Sequence, residues 1–196
     1  GVDNQLPQKV LPQFLSQISA AGISRFSIHA RKAWLQGLSP KENRNVPPLD
    51  YDLVIQMKRL FPELSISING GITSLDEVKS FLNCGLDGVM IGRAAYKQPC
   101  DILTLADKVI FGENFTYDAV QIVHQMVPYI EAHMISGGKL NEITRHMLGL
   151  FAAKPGSRTW RRVLTERSHI AGPELVLEAL SHVEEKTKVF SKNVAS

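Results

Sequence analysis

Residues 65–93 read SISINGGITSLDEVKSFLNCGLDGVMIGR, and the elements they encode decide the fold. Ser65 to Asn69 alternate polar and apolar with the period of two that marks a strand, and Gly70-Gly71 ends it sharply. Ser74 with Glu77 three residues on forms a capping box that opens a helix over Leu75–Leu82. Gly88 to Gly92 is a second short apolar run between glycines, which predicts a second strand. Strand, helix and strand in so short a span make a βαβ unit, with parallel strands and a right-handed crossover.

Toward the N-terminus, Asp50 as N-cap and Pro62 as terminator frame another helix, with Val54, Met57 and Phe61 on one face. Before it, Arg25–Ala30 (RFSIHA) reads as a strand. Lys9–Ala21 reads as an amphipathic helix carrying Leu11, Phe14, Leu15 and Ile18 and stopped by Gly22. The order helix, strand, helix, strand, helix, strand predicts an α/β fold with three parallel strands. A (β/α)8 barrel needs eight strands and about 250 residues, and a doubly wound sheet needs at least one more βαβ unit. Neither is complete, and the chain opens without Met inside a polar segment, so part of a longer protein is expected.

After residue 115 the pattern changes. Val120, Val123, Val127, Ile130 and Met134 repeat at three-and-four spacing, with Thr116 as cap, Pro128 inside and Gly137-Gly138 as stop. Helical segments follow at Asn141–Phe151, Arg158–Glu166 and Glu174–Lys186, with a frayed tail after Val189. The expected organisation is an α/β portion over residues 1–110 and an all-helical domain over 111–196.

The 196 residues are 44% hydrophobic and 21% charged, a globular composition that excludes disorder and collagen. No stretch approaches the roughly 18 consecutive apolar residues of a membrane span, and the N-terminus has no signal-peptide pattern, so a cytoplasmic protein without membrane contact is expected. Cys84 and Cys100 are too few for a disulfide framework. They have no zinc-site neighbours, and His124, His133, His146, His169 and His182 lack the spacing of a helix-borne site, so no metal is expected. The net charge of +3 is too mild to mark a nucleic-acid binder, and any such signal must be local.

Asn69-Gly70-Gly71 and Gly92-Arg93 lie one βα unit apart at the ends of neighbouring strands, so their loops are expected to converge. Glycines let backbone N–H groups approach a phosphate, Asn69 adds an amide donor, and Arg93 adds a bidentate cation. The competing reading is an ordinary tight turn at Gly70-Gly71 and a surface charge at Arg93. His29 stands at the end of the first strand with no carboxylate partner or nucleophile in view, which points to ligand contact rather than acid–base work.

Two basic stretches carry the local charge signal. The long connection 31–48 holds Arg31, Lys32, Lys41 and Arg44 against Glu42 alone, with Trp34 among them. Between Arg145 and Arg167 the window is +5. There Arg158, Arg161 and Arg162 share one helix face, and Trp160, Val163 and Leu164 the other. Arginine favours bidentate phosphate contacts and stacking on bases, so RNA or another polyanion is the expected partner, with a solvated basic face as the alternative.

The segments IHARKAWLQGLSPKENRNVPPLDY (28–51), INGGI (68–72), DGVMIGRAAY (87–96) and TRHMLGLFAAKPGSRTWRRVL (144–164) together resemble the tRNA-dihydrouridine synthases, subfamily A, over nearly the whole chain. The resemblance implies the last three strands of an FMN-binding TIM (β/α)8 barrel over residues 1–110 and a helical tRNA-binding domain over 111–196. It implies reduction of uridines 20 and 20a in the tRNA D-loop, with NADPH as electron donor. Hydride would pass through FMN to uracil C6 while a cysteine acid protonates C5. By that resemblance His29 contacts FMN near its ring and ribityl chain. Asn69, Gly70, Gly71, Gly92 and Arg93 hold the FMN phosphate, and Lys41, Arg44, Arg158 and Arg161 meet tRNA. Neither Cys84 nor Cys100 lies in the matching motif, so the proton donor is expected upstream of Gly1, this chain alone is expected to be inactive, and the whole enzyme a monomer. Two other readings stay open: another FMN- or phosphate-binding barrel oxidoreductase, and a non-catalytic RNA-binding module that keeps its strands as scaffold.

Overall fold

The computed structural model describes residues 2–194, which form three strands and ten helices. The chain divides into two compact units, Gly1–Gly92 and Arg93–Ser196.

The first unit carries α1 (Pro7–Ala20), β1 (Arg25–His29), α2 (Pro40–Asn43), α3 (Tyr51–Leu60), β2 (Ser65–Asn69), α4 (Leu75–Asn83) and β3 (Gly88–Met90). The strands form one parallel sheet in the order β1-β2-β3, as the sequence predicts, with β1 and β3 ending slightly earlier than expected. Ser27 lies opposite Ser67, His29 opposite Asn69, and Asn69 in turn opposite Met90. The local signals hold as well. Asp50 accepts from the Leu53 N–H at 3.0 Å to cap α3, and Ser74 and Glu77 close the capping box of α4.

Strand alternation gives the sheet two unlike faces. Ile66 and Ile68 are fully buried, and α3 packs on β2 while α4 packs on β3. The opposite face carries Ser27, His29, Ser67, Asn69 and Met90, of which Ser27, His29 and Met90 are exposed. Parallel sheets ordinarily have both faces covered; here one is apolar and packed, the other polar and open. Asp87 ties the packed side together: its carboxylate accepts from the Ile66 N–H at 2.8 Å and pairs with Lys58 at 2.8 Å. The Lys58 ammonium, then that N–H, hold its pKa below the usual carboxylate range.

The second unit is helical: α5 (Arg93–Lys97), α6 (Pro99–Phe111), α7 (Ala119–Ile135), α8 (Leu140–Thr144), α9 (Ser157–Arg167) and α10 (Glu174–Val194). Val123 and Ile130 of α7, Leu140 of α8, Trp160 and Leu164 of α9, and Val176 and Leu180 of α10 meet in one core. The Trp160 indole is buried and donates to the Met147 carbonyl at 3.0 Å, with the Phe151 ring edge-on to it at 4.9 Å.

Several features depart from expectation. The sequence shows no helix between residues 93 and 111, because α6 buries Ile102 and Thr104 while Leu103 and Leu105 stay exposed, and no single apolar stripe results. The Cys100 thiol donates to the Leu150 carbonyl at 2.7 Å, and a Cβ on Gly149 would stand 2.5 Å from the Lys97 carbonyl oxygen. Both ties bind the α5–α6 segment into the helical unit, and the compact units part at Gly92/Arg93. Asp118, not Thr116, caps α7, accepting from the Val120 N–H at 3.0 Å. The helix expected over Asn141–Phe151 stops at Thr144 and continues as tight turns, while Met147, Leu150 and Phe151 remain buried. Helix α10 runs through the tail expected to fray, as far as Val194. No helix among the described residues is long and apolar enough to cross a membrane.

Candidate functional site

The C-terminal ends of β1 and β2 bring His29 and Asn69 into register, with Met90 of β3 beside Asn69. The Asn69 side-chain amide points to the Met90 sulfur at 3.0 Å, a weak acceptor that leaves the amide a capable donor. Gly70 and Gly71 follow with φ of +120° and +70°, values that exclude most side chains. A Cβ on Gly70 would lie 3.1 Å from Leu49 Cδ2 and 3.3 Å from His29 Cε1, and one on Gly71 would lie 2.7 Å from Leu49 Cδ1. The Tyr51 hydroxyl donates to the Gly70 carbonyl at 2.7 Å and fixes the turn. Burial, then the nearby Glu77 carboxylate, push the Tyr51 phenol up, against an opposing pull from Arg31. A Cβ on Gly92 would meet nothing within 4 Å, so that backbone is open to approach. Arg93 is exposed and opens α5, in the second unit.

The basic connection is ordered rather than loose. The Asn43 side chain accepts from the Trp34 N–H at 2.7 Å and donates to the Trp34 carbonyl at 2.7 Å, and Ser39 with Glu42 caps the short α2. Arg31 turns inward and donates to the carbonyls of Pro47 and Asn45, so it holds the connection instead of facing a ligand. Lys41 and Arg44 are exposed on it. Asn43, Tyr51 and Met90 shape these sites without having been singled out in the sequence. The asparagine inside an 18-residue connection is a turn signal that could have marked the first; the other two depend on tertiary neighbours.

On α9 the two faces separate as the spacing predicts. Trp160, Val163 and Leu164 are buried, and Arg158, Arg161 and Arg162 are exposed. The local charge is smaller than the sequence count suggests, because Arg167 pairs with Glu178; Arg145 keeps its charge and donates to His146 Nε2 at 3.0 Å. Glu178 holds the Arg167 pKa above its ordinary value through that hydrogen bond and its charge. Among the described residues no group of three or more His, Cys, Asp or Glu is placed to hold a metal ion.

Taken together these features define a class: a parallel α/β unit with donor-bearing strand ends, in one chain with helices that display an arginine face. The family described as dihydrouridine synthase matches residues 3–188, and the chain belongs to that family. The chain is 48% identical over 193 residues to the tRNA-dihydrouridine(20/20a) synthase of Shewanella oneidensis, which covers 98% of this chain and 57% of that protein. It is 53% identical over 190 residues to the protein of the same name from Escherichia coli K12, covering 95% of this chain and 54% of the relative. For the Vibrio cholerae protein of that name the figures are 49% over 187 residues, 93% and 57%. The chain thus spans a little over half the length of these relatives.

Proposed function

We propose that the protein to which this chain contributes is a tRNA-dihydrouridine(20/20a) synthase, an FMN-dependent and NADPH-linked enzyme that reduces D-loop uridines. The observation that carries the reading is the identity of 48–53% with proteins of that name, spread over 93–98% of this chain. On this reading β1–β3 are the last strands of a TIM (β/α)8 barrel within residues 1–110. Helices α7–α10, within residues 111–196, are then the tRNA-binding helices.

The residues present fit FMN by the chemistry of their donors. His29 and the Asn69 amide stand on the open polar face, and the backbone at Gly92 has no neighbour that a Cβ would strike. When bound, FMN supplies a ring system that, once reduced, passes hydride to a substrate carbon. In this account His29 contacts the ring and ribityl region, while Asn69, the backbone of Gly70, Gly71 and Gly92, and the Arg93 guanidinium hold the phosphate. Tyr51, bonded to Gly70, keeps the turn rigid. Lys41, Arg44, Arg158 and Arg161 neutralise RNA phosphates and position the tRNA. Neither thiol suits protonation of the base: Cys84 is the C-cap of α4, and Cys100 donates to a backbone carbonyl, with burial raising its pKa. The proton donor is therefore assigned to a residue outside this chain.

Fluorescence titration of FMN into the complete protein tests the phosphate assignment. Arg93→Ala should weaken binding by roughly 1.5–3 kcal/mol, the range for a hydrogen bond to a charged group; unchanged affinity overturns the assignment.

A further inference from the structure

A second cationic feature lies where the turn before α9 meets α10. A hollow of about 270 Å³ is lined by Lys154, Gly156, Ser157, Arg158, Thr159 and Lys186. Gly156 brings the two segments together. Its φ is +82°, and a Cβ there would stand 2.7 Å from Val183 Cα and 3.1 Å from the His182 carbonyl oxygen. The turn is thus pressed onto α10 one helical turn before Lys186, and side chains from two elements converge on one concavity.

No carboxylate lines the hollow, and Lys154, Arg158 and Lys186 form no ion pair among the described residues. On the same unit Arg167, by contrast, is paired with Glu178. Three like charges facing one small space repel one another unless an anion sits among them. The lining has no aromatic ring, and Lys154, Arg158 and Lys186 dominate it, so charge is what it chiefly recognises.

We propose that this hollow seats one phosphate of the RNA backbone, with Lys154 and Lys186 as contacts additional to Arg158 and Arg161. The proposal rests on the RNA reading above. It makes the contact a positioning one, blind to sequence.

The experiment measures tRNA affinity of the complete protein at several salt concentrations, with circular dichroism melts as folding control. The pair Lys154→Ala/Lys186→Ala should weaken binding about tenfold and flatten the salt slope by about one unit, the signature of one lost phosphate contact. The pair Lys154→Arg/Lys186→Arg should retain both, as should Lys79→Ala/Lys108→Ala, which removes two exposed charges outside the hollow. Should the alanine pair fail to fold, Lys186→Ala alone, at an exposed helix position, should show a smaller loss in the same direction. Wild-type binding that the alanine substitutions leave unchanged in affinity and slope overturns the seat alone. A folded wild-type protein that does not bind tRNA overturns the RNA reading and the seat with it. Loss of inorganic phosphate binding in the alanine pair with tRNA binding intact marks the ligand as a free anion and also overturns the proposal.

Discussion

At Gly156 the backbone leaves no room for even a methyl group, since the obstacle is the Val183 Cα itself, 2.7 Å from where a Cβ would stand. Gly156→Ala adds strain at positive φ to an overlap that only a shift of α10 can relieve. A loss of about 2–4 kcal/mol is expected, read as a lower urea midpoint. Gly71 makes a useful contrast. Its nearest obstacle is also at 2.7 Å, but it is the tip of the Leu49 side chain, which can turn away. Gly71→Ala should therefore cost only about 1–2 kcal/mol, mostly backbone strain. The role of Gly70-Gly71 is legible in the sequence because a strand stops there. That of Gly156 is not, because its partner Val183 lies far along the chain. Arg31 shows the same limit: it counts as one more cation of a basic loop until the structure turns it toward the Pro47 carbonyl.

Among the elements, α4 owes its start to Glu77, whose carboxylate accepts from the Thr73 N–H and hydroxyl at 2.9 Å each and from the Ser74 N–H at 3.0 Å. Burial acts to raise the Glu77 pKa, and these donors outweigh it and hold it below the ordinary value. A depressed folded-state pKa means the stabilisation is complete above the unfolded value, about 4.3, and is lost as pH falls through the folded one. Glu77→Gln should therefore cost about 1 kcal/mol at neutral pH and flatten the acid limb of the stability curve, measured by urea unfolding from about pH 7 to pH 3. The arginine face of α9 yields a different expectation. Arg158→Ala with Arg161→Ala should leave the helix folded, because Trp160, Val163 and Leu164 hold it from the buried side. It should weaken tRNA binding and reduce the salt slope by about two units. Capping boxes and amphipathic faces are readable because their signals span three or four residues. Helix α6 is not, since its buried positions include Thr104 and its exposed ones Leu103 and Leu105.

For the whole molecule, the sequence reveals the three strands and their parallel order but not the unlike character of the two sheet faces. That contrast needs the register which sets His29 against Asn69 and Asn69 against Met90. The boundary between units is also a tertiary property, decided by the bond from Cys100 to Leu150 and the close approach at Gly149. This chain alone should bind FMN weakly or not at all and should not oxidise NADPH in the presence of tRNA; tRNA-dependent NADPH oxidation by the purified chain would contradict the assignment of the proton donor elsewhere. The measurement that bears most directly on the account is dihydrouridine mapped by mass spectrometry in an unmodified tRNA incubated with the complete protein, FMN and NADPH. The account predicts dihydrouridine at positions 20 and 20a, the sites in the relatives' name. A folded, flavin-loaded protein that leaves those uridines unreduced would contradict it.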